Sequence, residues 1–277
     1  MYSSEFSLAG INPLGTEIKT HKRLILIATI FILSFAIRLL RLYIDPQLLR
    51  DSVLYIELAD IWSETSNYSD IIAKGTITPP LPLYFIKELM NLGFSAEIAG
   101  RSLSLFTGAF VPVIGYFLAQ NIFKNHIISL LFSLFLTINP ALVFYSTQPL
   151  RESNYLFFTM FSGLFGIKAI IQQRKMDWVL CGCFISLSFF CRYESLELLV
   201  AIPLIVLFLI LWGKMHLKNS IQNVAFLYLG FCFVSLTLII MIGCGFSFIK
   251  RISEYNTNTI DFSGDGYIFK INPESGK

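Results

Sequence analysis

Long apolar runs divide this chain and constrain its fold more than any other feature. The first runs from Leu24 to Ile44, and others follow at 98–121, 127–146, 152–171, 178–191, 195–213 and 222–243. An α-helix needs about 20 apolar residues to cross the hydrocarbon core of a bilayer. The runs therefore predict an all-α integral membrane protein with about seven transmembrane helices. The run at 178–191 is short, and the number falls to six if it packs behind its neighbours.

The composition agrees with a membrane protein and excludes two other classes. The chain is 55% hydrophobic and 14% charged, with a mean hydropathy of +0.67, which is too apolar for a soluble domain. The net charge is only +3, and the basic residues are scattered among apolar runs. Because nucleic-acid binding needs a concentrated basic surface, that class is set aside.

The distribution of Lys and Arg predicts the orientation. Under the positive-inside rule, short cytoplasmic connections carry these residues. An internal N-terminus collects Lys19, Lys22, Arg23, Lys124, Arg174, Lys175, Lys214 and Lys218 on the cytoplasmic side. We thus expect a cytoplasmic tail at 1–23, a transmembrane module at 24–243 with an external loop at 45–97, and an external tail at 244–277.

The external loop contains two segments that are typical of helices lying on a bilayer surface. In the first, Leu54, Leu58, Ile61 and Trp62 fall on one helical face, whereas the acidic residues fall largely elsewhere. In the second, Thr78 is a predicted N-cap, prolines occupy the first turn, and Gly93 supplies a left-handed stop. The loop is therefore predicted to hold two interfacial helices.

The predicted orientation gathers unusual charges at the external helix ends. Ionisable residues at the edge of a membrane span are costly, so each is a candidate for function. Arg38 and Arg41 lie one to two turns deeper, where snorkelling towards the surface is the favoured interpretation. The residues at the helix ends are Arg50, Asp51, Arg101, Arg151, Glu152, Arg192 and Glu194.

Several short features together resemble the membrane glycosyltransferases of the GT-C fold. The resemblance is to the dolichyl-phosphate-mannose protein mannosyltransferases and the bacterial aminoarabinose transferases. The features are Arg50-Asp51 with Tyr55 one turn later, Pro79-Pro80-Leu81 with Tyr84, Arg101 in A-G-R-S-L-S-L-F, and N-P-A-L-V-F-Y-S followed by Leu150-Arg151-Glu152.

The resemblance implies a GT-C-like module of about seven helices and a site on the external face of the plasma membrane. It implies a catalytic acid at the start of the first loop, which matches Asp51, and a second acidic position, which matches Glu152. Two features depart from the family. Thr78 stands where the family often has His or another basic or polar residue before Pro-Pro, and the chain is shorter than most members.

The implied reaction is an inverting transfer of a sugar from a polyprenyl-phosphate carrier to a protein, lipid or glycan acceptor. Asp51 would be the general base for the acceptor hydroxyl. The phosphate leaving group needs positive charge, which Arg101, Arg151 and Arg192 would supply. Glu152 would orient an arginine, bind the sugar or complete a divalent-metal site with Asp51. Further substrate contacts are expected from Arg50, Tyr55, Tyr84 and Glu194.

Other interpretations of these residues stay open. Asp51 alone would be an ordinary helix cap, and Arg151-Glu152 a solvated pair. Tyr55, Tyr84 and Trp62 would be interfacial anchors rather than sugar-binding surfaces. Asn139-Pro140 is expected to bend or end the third span.

Two other functions also fit the sequence. A transporter or lipid-linked sugar flippase would have charges near the middle of its spans, whereas here they cluster at one face. A truncated, non-catalytic subunit would explain the short length. Neither alternative predicts a general base at position 51.

Overall fold

The computed structural model describes residues 20–65, 68, 71 and 78–242, and this part of the chain consists of helices and their connections with no strand. Residues 1–19 of the predicted cytoplasmic tail and the predicted external tail at 244–277 lie outside the described residues. The helical elements are Thr20–Ile44 (α1), Arg50–Thr65 (α2), Pro80–Asn91 (α3), Ala96–Phe123 (α4), His126–Ile138 (α5), Pro140–Ser146 (α6), Arg151–Gln172 (α7), Lys175–Phe189 (α8), the short 3₁₀ turn Tyr193–Leu196 (η1), Glu197–Leu211 (α9) and Leu217–Ile242 (α10).

The structure confirms an all-α membrane protein but not seven spans. Among the described residues, α1, α4, α7, α10 and the continuous segment Tyr193–Leu211, which is η1 followed by α9, are long and apolar enough to cross a membrane. The α5–α6 pair makes six if it counts as one bent span. Helix α8 has only 15 residues and falls short of that length. The count of seven is therefore not confirmed. Six was the expected number if the segment at 178–191 did not span.

Helix α8 lies in the interior of the bundle, packed between α7 and α10. Its crossing with α10 is very close because two glycines meet there. A Cβ added to Gly182 would overlap the Leu227 carbonyl oxygen, and one added to Gly230 would overlap the Val179 carbonyl oxygen. Small residues at such crossings let helix backbones approach within a membrane. This contact fixes the position of α8 and hence of the corner that follows it.

The predicted break at Asn139-Pro140 is confirmed. Helices α5 and α6 meet there at an angle of 56°. Pro140 is the first residue of α6, where a missing backbone N–H costs nothing, and the Asn139 side chain accepts a hydrogen bond from the Leu142 amide at 3.2 Å. The bend carries the chain into the short loop that precedes α7.

Helix α2 lies over the end of the bundle and buries one face, as expected. The buried stripe consists of Tyr55, Leu58, Ala59 and Trp62, which recur at helical spacing. The interpretation of Tyr55 and Trp62 as interfacial anchors is wrong, because both side chains are buried in the core beneath α2 and α3. Anchors would need to reach the lipid headgroups.

Helix α3 begins one residue later than predicted. Its N-cap is Pro79, which makes no side-chain cap, so the prediction of Thr78 as the cap is wrong. Thr78 is instead buried, and its carbonyl oxygen accepts a short hydrogen bond from the Tyr68 hydroxyl. Gly93 follows the helix with φ of +95°, which confirms the left-handed stop.

The first turn of α3 is tied to the end of α8. The amide of Leu81 donates a hydrogen bond to the Phe190 carbonyl oxygen at 3.1 Å. This donor would otherwise have no partner within its own helix. The surface helix is therefore fixed to the corner between α8 and η1.

Candidate functional site at one end of the bundle

A group of charged and aromatic side chains lies where the start of α7, the α8–η1 corner and helix α2 meet. Arg151 and Glu152 open α7, with 3.6 Å between the Arg151 Nε and a Glu152 carboxylate oxygen. At the corner, the Arg192 Nε lies 3.0 Å from a Glu194 carboxylate oxygen. Arg192 also lies over the Tyr155 ring, 5.6 Å from its centroid. We name this group the end cluster, defined by Tyr55, Arg151, Glu152, Tyr155, Arg192 and Glu194.

Arg192 remains a cation in this setting. Burial lowers the pKa of its guanidinium. Pairing with Glu194 and the nearby charge of Glu152 raise the pKa by more than burial lowers it, so the net pKa lies above its ordinary value. The arginine is about one-third exposed. It can therefore offer permanently charged hydrogen-bond donors to a ligand at the end cluster.

Tyr55 connects α2 to the end cluster. Burial raises the pKa of its hydroxyl, the charge of Arg151 lowers it, and Glu152, Cys191 and Tyr193 raise it, with the net shift upward. The hydroxyl therefore stays protonated near neutral pH and can donate a hydrogen bond. Because these groups act on Tyr55 directly, helix α2 and the start of α7 face the same space.

Asp51 lies one helical turn before Tyr55. Its side chain is exposed, and among the described residues its carboxylate forms no hydrogen bond or ion pair. Side chains four residues apart on a helix lie side by side, about 5–6 Å apart at Cβ. Asp51 is thus one helical turn from a member of the end cluster, and its carboxylate is available to a ligand. Arg50 opens the same helix and is also exposed.

Arg101 is at this end of the bundle but is bound to the protein itself. Its Nε pairs with Glu97 at 2.8 Å, and its other two nitrogens donate to the carbonyl oxygens of Thr147 at 3.1 Å and Pro46 at 2.6 Å. The side chain is buried and links the chain after α1 to the α6–α7 loop. A role for Arg101 in phosphate binding stays a prediction, and it would require some of these bonds to be exchanged.

Tyr84 lies in the contact between α2 and α3, outside the end cluster. Its ring packs against Trp62 with centroids 6.0 Å apart. Burial raises the pKa of its hydroxyl, as does the neighbouring Glu88. Its proposed contact with substrate therefore stays a prediction, and its observed contacts are structural.

Sequence analysis missed Gln148, which fixes the beginning of α2. Its buried side-chain oxygen accepts hydrogen bonds from the Leu49 amide at 3.1 Å and the Ser52 hydroxyl at 3.0 Å. Its side-chain nitrogen donates to the Gln47 carbonyl oxygen at 2.9 Å. These partners are about a hundred residues away in the chain, so no local pattern could have indicated them. Gln148 holds Asp51 beside the start of α7.

Replacing Gln148 with Leu should lower both stability and any activity at this end. The substitution keeps the volume but leaves the Leu49 amide and Ser52 hydroxyl without their acceptor, at a cost of about 1–3 kcal/mol. Thermal unfolding of the purified protein in detergent measures this change. Gln222→Leu is the control, because Gln222 is an exposed glutamine within α10 at the opposite end. Equal loss of activity in both variants would show that Gln148 has no special effect on the end cluster.

The position of Arg38 differs from the one predicted from the sequence. It does not snorkel to the surface but is completely buried between helices, whereas Arg41 on the next turn pairs with Asp45 at 2.7 Å and is one-third exposed. One Arg38 nitrogen donates to the Ser34 hydroxyl and carbonyl oxygen, at 2.6 and 3.0 Å. The snorkelling interpretation is therefore wrong for Arg38 and stays a prediction for Arg41.

A cavity also lies at the opposite end of the bundle. It measures about 740 Å³ and is lined by Lys175, Lys214, His216, amide side chains and apolar residues. No carboxylate and no arginine lines it, so none of the predicted site residues is there. All three His also lie towards that end. The charged end cluster is therefore the better candidate for chemistry.

The set of possible metal ligands is sparse. In the described ranges, no group of three or more His, Cys, Asp or Glu side chains is arranged to hold a metal ion. Asp51 and Glu152 thus lack a third ligand of these types. The divalent-metal alternative for Glu152 gains no support from the residues present.

The fold and the end cluster define a multi-pass helical membrane protein with two acids, two arginines and two tyrosines collected at one end of its bundle. The model of the dolichyl-phosphate-mannose-protein mannosyltransferase family matches residues 78–240, more than half of the chain, and the chain belongs to this family of glycosyltransferases. A comparison with curated proteins finds no match. The matched range includes Arg101, Arg151, Glu152, Arg192 and Glu194, while Arg50, Asp51 and Tyr55 precede it.

Proposed function

We propose that this protein transfers a sugar from a polyprenyl-phosphate carrier to an acceptor hydroxyl at the external face of the membrane. The family supports a glycosyltransferase that uses a dolichyl-phosphate mannose type of donor. The observation that carries the proposal is a carboxylate with no protein partner among the described residues, at Asp51, one helical turn from a tyrosine that faces Arg151. This arrangement supports Asp51 as the base and Arg151 as the cation for the phosphate.

The proposed reaction is a displacement at the anomeric carbon. The acceptor oxygen forms a bond to that carbon while the bond from the carbon to the phosphate oxygen breaks, with inversion. Asp51 takes the proton of the acceptor hydroxyl, and the electron pair of the broken bond leaves with the polyprenyl phosphate. A general base of this kind contributes about 10²–10⁴-fold to the rate.

Arg151 and Arg192 would stabilise the leaving phosphate. Both are partly exposed and each is paired with a carboxylate, so each is held in place while keeping donors free for a ligand. Charge that develops on the phosphate oxygens is best stabilised by donors already in position. Tyr55 and Glu194 would bind hydroxyl groups of the sugar.

A reconstituted transfer assay tests the proposal. The purified protein in lipid vesicles is supplied with a polyprenyl-phosphate hexose labelled in the sugar and with a peptide or glycan acceptor. We expect label to move to the acceptor through a new glycosidic bond. Labelled carrier that crosses between leaflets without any glycosidic bond being formed would support the flippase alternative and contradict the transferase.

Replacing Arg192 with Gln should weaken donor binding about tenfold, because one charged contact to a phosphate is lost while Arg151 remains. The measurement is the KM for the labelled donor in the same vesicles. Arg174→Gln is the control, since Arg174 is an exposed arginine at the opposite end of α7. An unchanged donor KM in Arg192→Gln would remove this residue from the phosphate site.

A further inference from the structure

A small cavity lies inside the bundle between α1, α4, α6 and α7. Its volume is about 80 Å³, and both Arg38 and Glu152 line it, with Tyr145 and Ser153 beside them and apolar residues elsewhere. Sites for small organic ligands usually measure about 300–1,000 Å³. This cavity is therefore too small for a sugar phosphate and suits a few water molecules.

Arg38 brings an uncompensated charge to this cavity. It is 0% exposed and lies six residues before the end of α1, roughly 9 Å along the helix axis. One nitrogen is bonded to Ser34, but Nε and the second terminal nitrogen have no hydrogen-bond partner among the described residues. Buried N–H groups without partners are costly, and a charge within a membrane span is more so.

Glu152 supplies the opposite charge. One carboxylate oxygen lies 3.6 Å from the Arg151 Nε, and the other is buried with no hydrogen-bond partner among the residues described. No ion pair within 4 Å joins Arg38 and Glu152 in this part of the chain. Water in the cavity between them would satisfy both groups, because it donates to the carboxylate and accepts from the guanidinium.

We propose that Arg38 is a positioning residue for Glu152, which it holds through water molecules in the cavity. Glu152 in turn holds Arg151, so the buried arginine sets the position of a cation in the end cluster. The effect on sugar transfer rests on the proposed function, because only then does Arg151 face the leaving phosphate. The link between Arg38 and Glu152 itself is independent of it.

The first test is a double-mutant cycle on transfer, with Arg38→Gln, Glu152→Gln and the double variant. We expect each single variant to lower kcat by on the order of 10- to 100-fold with the acceptor KM little changed, as is typical when a supporting partner is lost. In the Glu152→Gln background, Arg38→Gln should cause little further loss. If the kcat loss in the double variant equals the product of the two single losses, the proposal is wrong. Arg41→Gln, on the next turn of the same helix, should keep kcat within about twofold.

The second test does not depend on activity. The unfolding temperatures of the same four proteins in detergent should show coupling, because either single variant leaves a buried charge without its counter-charge, whereas the double variant leaves none. Additive shifts would contradict the link even if transfer were observed. If Arg38→Gln yields no folded protein, Arg38→Met, which is also neutral, takes its place in both cycles. If the unchanged protein transfers no sugar but the unfolding temperatures of the four proteins show coupling, only the proposed function is refuted.

Discussion

Asp51→Asn should abolish sugar transfer while leaving membrane insertion and folding intact. Asn keeps the size of the side chain but cannot accept the proton of the acceptor hydroxyl, so we expect a loss of about 10²–10⁴-fold in kcat. The fold should tolerate the change because Asp51 is exposed and its carboxylate makes no hydrogen bond or ion pair within the described residues. The measurement is initial transfer rate in vesicles, normalised to folded protein by size-exclusion chromatography.

Asp60→Asn provides the matched control for this prediction. Asp60 is another exposed acid on α2, and its position in the helix puts it on the opposite face from Asp51. The two variants lose the same charge from the same helix, so a general electrostatic effect would appear in both. Full activity in Asp51→Asn, or equal loss in both variants, would exclude Asp51 as the base.

The second large effect concerns the crossing of α8 and α10. Gly182→Ala would drive a methyl group into the Leu227 carbonyl oxygen, so the helices must move apart. Overpacking of this kind costs about 1–3 kcal/mol and occasionally more, and the obstacle here is backbone, which cannot rotate away. Unfolding temperature in detergent should fall by several degrees, and Gly182→Leu should leave little folded protein.

Gly163→Ala separates this packing effect from the general consequences of replacing a helical glycine. At Gly163 an added Cβ would meet only the end of the Leu118 side chain, at 3.9 Å. Ala favours a helix over Gly by about 1 kcal/mol, so Gly163→Ala should be neutral or stabilising. If Gly182→Ala were equally well tolerated, the close approach of α8 to α10 would be wrong.

Much of the fold was readable from the sequence because a bilayer demands long apolar helices. The runs predicted an all-α membrane protein, and the Asn139-Pro140 step predicted the bend within the third span. The number of spans was harder, because the segment at 178–191 reads as a short span whereas α8 is an interior helix held by Gly182. Hydropathy alone does not distinguish burial in lipid from burial in protein.

The candidate site was only partly readable for a similar reason. Charges at helix ends are visible in the sequence, and Arg151, Glu152, Arg192 and Glu194 do lie together. The bonds that Arg101 makes to distant backbone oxygens were not visible. Gln148 escaped notice, and Arg38 was wrongly interpreted as snorkelling, because their roles depend on partners that only the folded chain brings together. The catalytic and binding roles themselves remain predictions.

Helices α2 and α7 both begin near the end cluster, and this has an electrostatic consequence. The aligned peptide dipoles of each helix leave a partial positive charge of roughly half an elementary charge at its N-terminus. Such helix ends attract phosphate groups without help from any side chain. The space around the end cluster would therefore keep a positive electrostatic potential after one of its two arginines is removed. A carrier lipid should still bind to every single-arginine variant, only more weakly and with greater sensitivity to salt.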